Sequence, residues 1–207
     1  DISVDGGALR VLGRIDASGD QVGSIRLAAR DGLQLDGSLD AHGTALRVDS
    51  YGKIIDSPNR AIVELESRDG RVQLGSAARI DLRSGTGVAV GTGAGQNDGR
   101  ARGTFVLNVP RVGSDDAGVD TGSGVQVLGA RDIFVTGVRR YDDAPLADTA
   151  DVNGRRGQLV TRSWLDTVVD PANTAWMNAA LGNAGLSARL ATLGTVRLLS
   201  LIHISEP

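Results

Sequence analysis

The chain has 207 residues, of which 29 are Gly, none is Cys and only six are aromatic, and its formal net charge is −3. So much Gly with so few aromatic residues argues against a helix-rich globule with an aromatic core. The small negative charge excludes the strongly basic surface of a nucleic-acid-binding protein, and the absence of Cys excludes disulfides and thiolate chemistry.

The charged residues are of the kinds that favour turns over helices. Lys53 is the only Lys among 22 basic residues, and 22 of the 25 acidic residues are Asp. Asp and Gly form tight turns, whereas Glu and Lys are common on helix surfaces. The composition therefore predicts repetitive β-structure. Because no run approaches the ~18 apolar residues of a membrane span, we expect no transmembrane segment.

A repeat organises the amino-terminal part of the chain. Residues 13–19 recur 24 positions later as residues 37–43, and a looser third copy occupies residues 79–85. Upstream of the second and third copies, residues 25–35 recur as residues 63–74 with one residue inserted. One unit of the repeat reads as three short β-segments separated by Gly and Asp turns.

Within each segment apolar and polar residues alternate, as in Ile25 and Leu27 or Val63 and Leu65. This alternation is typical of strands with one buried face. Near-identical segments at this spacing pair best with their own copies in the next turn of the chain. We therefore expect residues 1–140 to form the coils of a parallel β-helix.

Four further segments complete this β part. Residues 103–110 and 124–137 continue the alternating pattern and predict further coil segments. Residues 50–60 and 85–103 do not, because they are rich in Gly, Asp, Asn and Ser. We expect these two stretches to project from the coils as loops.

Residues 141–194 leave the β pattern and predict a loop followed by a helical insertion. Asp170 before Pro171 is a good helix start, an Ala-rich stripe follows, and Gly182 ends it. Shorter helices are expected at 163–169 and 186–193.

The insertion is expected to have its own small core and to be followed by a return to the coils at residues 195–198. We expect three large side chains to form that core: Trp164, Trp176 and Met177.

The last nine residues differ in composition from the rest of the chain, which is rich in Gly, Asp and Arg. Residues 199–207 match, codon for codon, a translation of the transposase adapter used in sequencing libraries, CTG TCT CTT ATA CAC ATC TCC GAG CCC. We therefore interpret 199–207 as non-native and expect the chain to be an internal fragment of a longer protein.

The rhythm of residues 23–43 resembles that of the large exoproteins of the filamentous haemagglutinin family, which two-partner systems secrete across the Gram-negative outer membrane. The block at 139–145 and the Ala-rich helix after it are similar to segments of the very large members. The resemblance covers residues 3–198 and implies a right-handed parallel β-helix in a secreted or surface-anchored fibre. It also implies an outer-membrane secretion pore as partner and adhesion to host cells, matrix or other bacteria through a receptor that the sequence does not name.

The acidic and His residues are the candidates for catalytic and metal sites. The candidate carboxylate pairs all lie in turns beside Gly or Ser, where capping of the backbone accounts for Asp: Asp36 with Asp40, Asp115 with Asp116, and Asp142 with Asp143. His42 takes the place of Ser18 in the previous copy of the repeat, which indicates a tolerant exposed position.

The Gly-rich residues 91–99 are similar to Ca²⁺-binding nonapeptides, but those work in tandem arrays and this segment occurs once. We therefore expect no catalytic residue, no metal and no cofactor.

Two functions remain open. The first is a structural and adhesive stalk segment of a large exoprotein. The alternative is a carbohydrate-active β-helix enzyme, a polysaccharide lyase or a glycoside hydrolase. Two carboxylates on adjacent coils in one groove would favour the enzyme, and carboxylates distributed around turns would favour the stalk.

Overall fold

The structure is a computed structural model that describes residues 1–45, 47–56, 58–85, 91, 99–141 and 162–204. Its strands are mostly parallel, and a small helical part lies near the carboxy-terminal end, as the sequence predicted.

Most strands belong to four successive groups of three, here called coils 1 to 4. Coils 1 and 2 contain β1 (Ile2–Val4), β2 (Ala8–Val11), β3 (Arg14–Asp16), β4 (Ser24–Ala29), β5 (Gly32–Leu35) and β6 (Ser38–Asp40). A hairpin of β7 (Arg47–Val48) and β8 (Ile54–Asp56) follows. Coils 3 and 4 contain β9 (Ile62–Ser67), β10 (Val72–Leu74), β11 (Arg79–Asp81), β12 (Gly103–Val112), the short β13 (Asp116–Ala117), β14 (Val119–Thr121) and β15 (Gln126–Leu128). The last strands are β16 (Ala130–Tyr141) and β17 (Val196–Ile204).

Each coil adds one strand to each of three sheets. Sheet A has the order β1-β4-β9-β12-β16-β17, sheet B the order β2-β5-β10-β14, and sheet C the order β3-β6-β11-β15. Every neighbouring pair along these three orders is parallel. Within the described residues, antiparallel pairing joins β7 to β8 and β13 to β12.

The pairing register confirms the repeat that the sequence predicted. Ile15 lies opposite Leu39, and Leu39 lies opposite Ile80, so the three copies stack position by position. Between coils 2 and 3 the register gains one residue in the turn before Val72, as the single insertion requires.

The alternating apolar residues form one buried column between the sheets. Leu27, Leu65, Leu107 and Val135 stand opposite one another on successive strands of sheet A, and none is more than 1% exposed. Burial of each such side chain contributes about 1.5–3 kcal/mol, and the column accommodates them without large aromatic residues.

The two predicted loops meet at their bases. Asn59 is only 3% exposed, and its Nδ2 donates to the carbonyl of Arg100 at 2.5 Å. The β7–β8 hairpin lies within and just before the first predicted loop, 50–60. Most of the second, 85–103, lies outside the described residues.

The helical part begins at residue 162, where a short helix was predicted at 163–169. It contains α1 (Arg162–Trp164), a π-helical turn (Leu165–Val169), α2 (Asp170–Gly182) and α3 (Ala184–Ala191). The expectation that Asp170 caps the main helix is wrong, because Asp170 has helical angles and its N–H donates to the carbonyl of Leu165. The wider π-helical spacing accommodates Pro171, which has no N–H to donate. The predicted end at Gly182 is confirmed.

The expectation of a separate core for the helices is also wrong. Trp176 and Leu186 belong to the same buried cluster as the strand residues, and Met177 packs against that cluster. The Trp176 ring lies over Gly137 of β16, so close that a Cβ at position 137 would be 2.2 Å from it. Trp164 instead lies edge-on to Tyr141, with ring centroids 5.1 Å apart. The helices therefore close over the apolar column.

After the helices the chain returns to sheet A, where β17 pairs with β16 in one continuous register. The strand includes residues 196–198 of the return predicted at 195–198 and runs on through 199–204, where Leu199 and Leu201 are 43% and 51% exposed. The interpretation of 199–207 as non-native stays a prediction.

Candidate functional site

A ladder of three carboxylates runs along sheet C. Asp16, Asp40 and Asp81 end β3, β6 and β11 and lie in register on adjacent coils. Each carboxylate accepts the backbone N–H two residues ahead, at 2.9 Å from Ser18, 3.4 Å from His42 and 3.3 Å from Arg83. This geometry turns the chain at the end of each strand, which is the structural role expected for Asp.

Cationic side chains neutralise this ladder. Arg14 bridges two coils, with its Nη2 2.7 Å from Asp16 and 2.8 Å from Asp40. Arg79 and Arg83 both contact Asp81, at 2.9 and 2.6 Å. Burial alone would raise the pKa of Asp81, but hydrogen bonds from these guanidinium groups outweigh it and lower the pKa to about 2.

The pKa of Asp16 is lowered too, mainly by its hydrogen bonds from Ser18. A carboxyl with a lowered pKa is ionised at neutral pH and is a poor general acid.

His42 does not enter a nucleophilic relay in this ladder. Its Nδ1 contacts the carboxylate of Asp40, and the Ser18 hydroxyl donates to Asp16 at 2.5 Å. His42 and Ser18 thus occupy equivalent turn positions and each bonds the carboxylate of its own coil.

The other candidate carboxylates have different surroundings. Asp36 accepts a hydrogen bond from Gln34 at 2.6 Å, so it is engaged within its own turn. Asp116 contacts Arg189 of α3, and Asp115 accepts from Asn183 at 3.2 Å. The Asp115–Asp116 pair therefore attaches the helical part to coil 4.

Two of the candidate acidic and Gly-rich segments lie wholly or mostly outside the described residues. Asp142 and Asp143 lie outside the described residues, as do residues 92–98 of the Gly-rich segment. Within the described residues, no group of three or more His, Asp or Glu could hold a metal ion.

The outer face of sheet A is a second candidate site, which reasoning from sequence missed. Its polar side chains interact across strands: Arg26 lies 2.9 Å from Glu66, Arg140 lies 3.5 Å from Glu66, and Asn108 donates to Glu64 at 2.7 Å. We call these five residues the sheet A face. The polar residues of the alternating pattern indicated exposed side chains. Only the register between coils shows which of these side chains lie next to one another.

Two shallow pockets flank Glu66 on this face. One, of about 350 Å³, lies beside Arg140 and Asn108, and the other, of about 260 Å³, lies beside Arg26. Both combine charged groups of both signs with small apolar areas, which suits a polar macromolecular surface better than a compact apolar ligand.

Comparison with known proteins gives no relative: no family model matches the chain, and neither a curated protein nor a solved structure matches it. None of the helices in the described ranges is long and apolar enough to cross a membrane.

Proposed function

We propose that this chain is a stalk segment of a large secreted or surface-anchored bacterial exoprotein, of the kind its sequence resembles in the filamentous haemagglutinin family. The observation that carries the proposal is the in-register stacking of three repeat copies along sheet C. Each added copy of such a module lengthens the stack by about 4.8 Å, so repetition of one short unit can build a long fibre.

The coils are proposed to wind as a right-handed parallel β-helix. Support comes from the general rule that crossover connections between parallel strands are right-handed in nearly all proteins. In this proposal the parent protein is exported through an outer-membrane two-partner secretion pore and displayed on a Gram-negative cell.

Adhesion is proposed to involve the sheet A face. A rigid sheet that exposes charges of both signs can orient a receptor and discriminate between receptors. Such a contact does not require a deep pocket. The Arg26 side chain is 45% exposed and the Glu66 side chain 25% exposed, so both are accessible to a host-cell or matrix receptor, protein or glycan.

The test is adhesion of beads coated with the full chain to epithelial cells and to matrix proteins. We expect saturable binding that weakens in a variant with Arg26→Ser and Glu66→Ser, whereas Arg10→Ser on sheet B, also exposed and outside any recorded ion pair, leaves it unchanged. If the beads do not adhere, the chain is a spacer and not an adhesive segment. If the sheet A face variant and Arg10→Ser lose binding equally, the sheet A face is not the adhesive surface.

A carbohydrate-active enzyme remains the second candidate, because Asp16, Asp40 and Asp81 do stand on adjacent coils. Their neutralisation by Arg residues supports the structural role instead. Incubation with acidic and neutral polysaccharides and measurement of new reducing ends distinguishes the two. Release of products that Asp40→Asn abolishes would overturn the stalk proposal.

A further inference from the structure

A pocket of about 410 Å³ lies where the ends of β12 and β16 meet α2. Two guanidinium groups, Arg111 and Arg139, stand at this pocket together with the ring of Tyr141. The opposite wall is apolar and comes from one face of α2, with Ala172, Ala175 and Trp176. We call it the arginine pocket. Its volume is within the range of small-molecule sites, about 300–1,000 Å³.

The two Arg residues are unusual in this chain. Most other Arg side chains that the structure describes lie within 4.0 Å of a carboxylate, as Arg71 does at 2.7 Å from Asp120. Among the described residues, no ion pair involves Arg111 or Arg139, and the recorded contact of Arg139 is with the Tyr141 ring at 5.6 Å. Two positive charges therefore line the same pocket, and the part of the chain that the structure describes places no carboxylate within 4.0 Å of either.

Arg111 is held in place by neutral partners. Its Nε donates to the carbonyl of Gly137 at 3.2 Å, its Nη2 donates to Asn173, and its Cζ lies 4.5 Å from the centre of the Trp176 ring. Its other acceptors, in Ser200 and Leu201, are also uncharged oxygens. Burial lowers the pKa of Arg111; the neighbouring Tyr141 opposes that effect, and the like charge of Arg139 adds to it. An anion bound here would offset the repulsion between the two guanidinium groups.

We propose that the arginine pocket binds a small organic carboxylate whose apolar body lies along the Ala and Trp wall of α2. A carboxylate matches the planar donor fork of a guanidinium, which the exposed Arg139 supplies, and the fixed Arg111 adds its positive charge and its Nη1 donors. The apolar wall selects against a bare inorganic anion, because burying that wall requires an apolar surface on the ligand. A carboxylate with an apolar surface occurs in an aromatic acid and, through the C–H face of the ring, in a uronic acid.

This inference does not depend on the stalk function, since it concerns the junction between the strands and the helical part. The test is isothermal titration calorimetry of the full chain with three separate probes: phenylacetate, glucuronate and inorganic phosphate. We expect saturable binding of at least one organic acid, weaker at high salt, and at least tenfold tighter than phosphate. Which organic acid binds more tightly distinguishes an aromatic from a sugar ligand.

Two variants test the two halves of the pocket. Arg139→Gln removes one exposed charge and is expected to weaken binding at least tenfold, because charge-assisted hydrogen bonds are the strong ones. Ala175→Leu places a larger side chain on the exposed wall of α2 and is expected to weaken binding of the organic acid as well. Circular dichroism confirms that each variant keeps the wild-type fold.

Arg10→Gln is the matched control, since Arg10 is also exposed and forms no recorded ion pair but lies on β2 in sheet B. It should leave the affinity unchanged. Absence of saturable binding by either organic acid at millimolar concentration would overturn the proposal. So would phosphate binding as tight as theirs, or an equal loss of affinity in Arg10→Gln and Arg139→Gln.

Discussion

The stacking of coils can be tested at one repeat position that occurs twice. Gly13 and Gly37 are equivalent in the repeat, and the N–H of Ser38 donates to the carbonyl of Gly13 at 3.0 Å. A Cβ on Gly37 would come 1.9 Å from that carbonyl oxygen. A Cβ on Gly13 would have no heavy atom within 4 Å, because no coil lies beneath it in the structure.

The expected cost of Gly37→Ala follows from this contact. The obstructing atom is backbone, so the methyl group cannot be accommodated by a side-chain rotation, and the two coils must separate locally. Overpacking of this kind costs about 1–3 kcal/mol, and the strained hydrogen bond from Ser38 adds about 1 kcal/mol. We therefore expect Gly37→Ala to lower the free energy of unfolding by about 3 kcal/mol. Gly13→Ala should change it by less than about 0.5 kcal/mol.

Urea unfolding followed by far-UV circular dichroism measures both variants against the wild type. The difference between Gly37→Ala and Gly13→Ala is the informative quantity, since propensity effects of the Gly to Ala change are shared. Equal midpoints for the two variants would refute the stacking of coil 2 on coil 1 at this turn.

Two further predictions concern the carboxylate ladder and the helical part. The folded pKa of Asp81 is about 2, below its ordinary value of 3.8. The ionised Asp81 carboxylate therefore stabilises the folded state by up to about 2 kcal/mol above about pH 5, and this contribution is lost as the pH falls towards 2. The free energy of unfolding of Asp81→Asn should therefore fall less than that of wild type between about pH 6 and 3; parallel profiles would contradict this. Gly137→Ala would place a methyl 2.2 Å from the Trp176 ring. In a Trp164→Phe background, this change should shift the fluorescence emission of Trp176 to longer wavelength. Unchanged emission would contradict the docking of α2.

The coils could be predicted because the information for them is repeated in the chain. Once residues 13–19 are seen to recur as 37–43, parallel pairing of the copies follows, and the structure pairs Ile15 with Leu39 as expected. The inserted residue before Val72 could be placed for the same reason, since a turn absorbs it without changing the buried face.

The position of the helical part could not be predicted in the same way. An Ala-rich stripe that includes Trp176 indicates that one face of α2 is buried, but not which surface covers it. The surface that covers Trp176 includes Gly137. A Gly within a strand is locally unfavourable, but in the structure its missing side chain leaves space for the indole ring. Nothing in the sequence links these two positions, because they occur once and do not repeat.

The same absence of repetition hid both candidate sites. The sheet A face depends on Glu66 meeting Arg26 from coil 2 and Arg140 from β16, residues at outward positions whose identities differ from strand to strand. The arginine pocket depends on α2 lying over the ends of β12 and β16. The repeated apolar residues determine the scaffold, whereas these two sites depend on polar residues and a helix that do not repeat.

The helical part also contacts the last strand of sheet B. In the described residues sheets B and C stop at β14 and β15, and a free strand edge is a template for pairing with another chain. Arg189 of α3 donates its Nε to the carbonyl of Val119 at 3.0 Å, and its own carbonyl accepts from the Thr121 hydroxyl at 2.9 Å. A side-chain donor satisfies an edge carbonyl without presenting a new strand edge. In the described part of the chain, α3 therefore contacts the last strand of sheet B, while sheet A continues through β16 into β17.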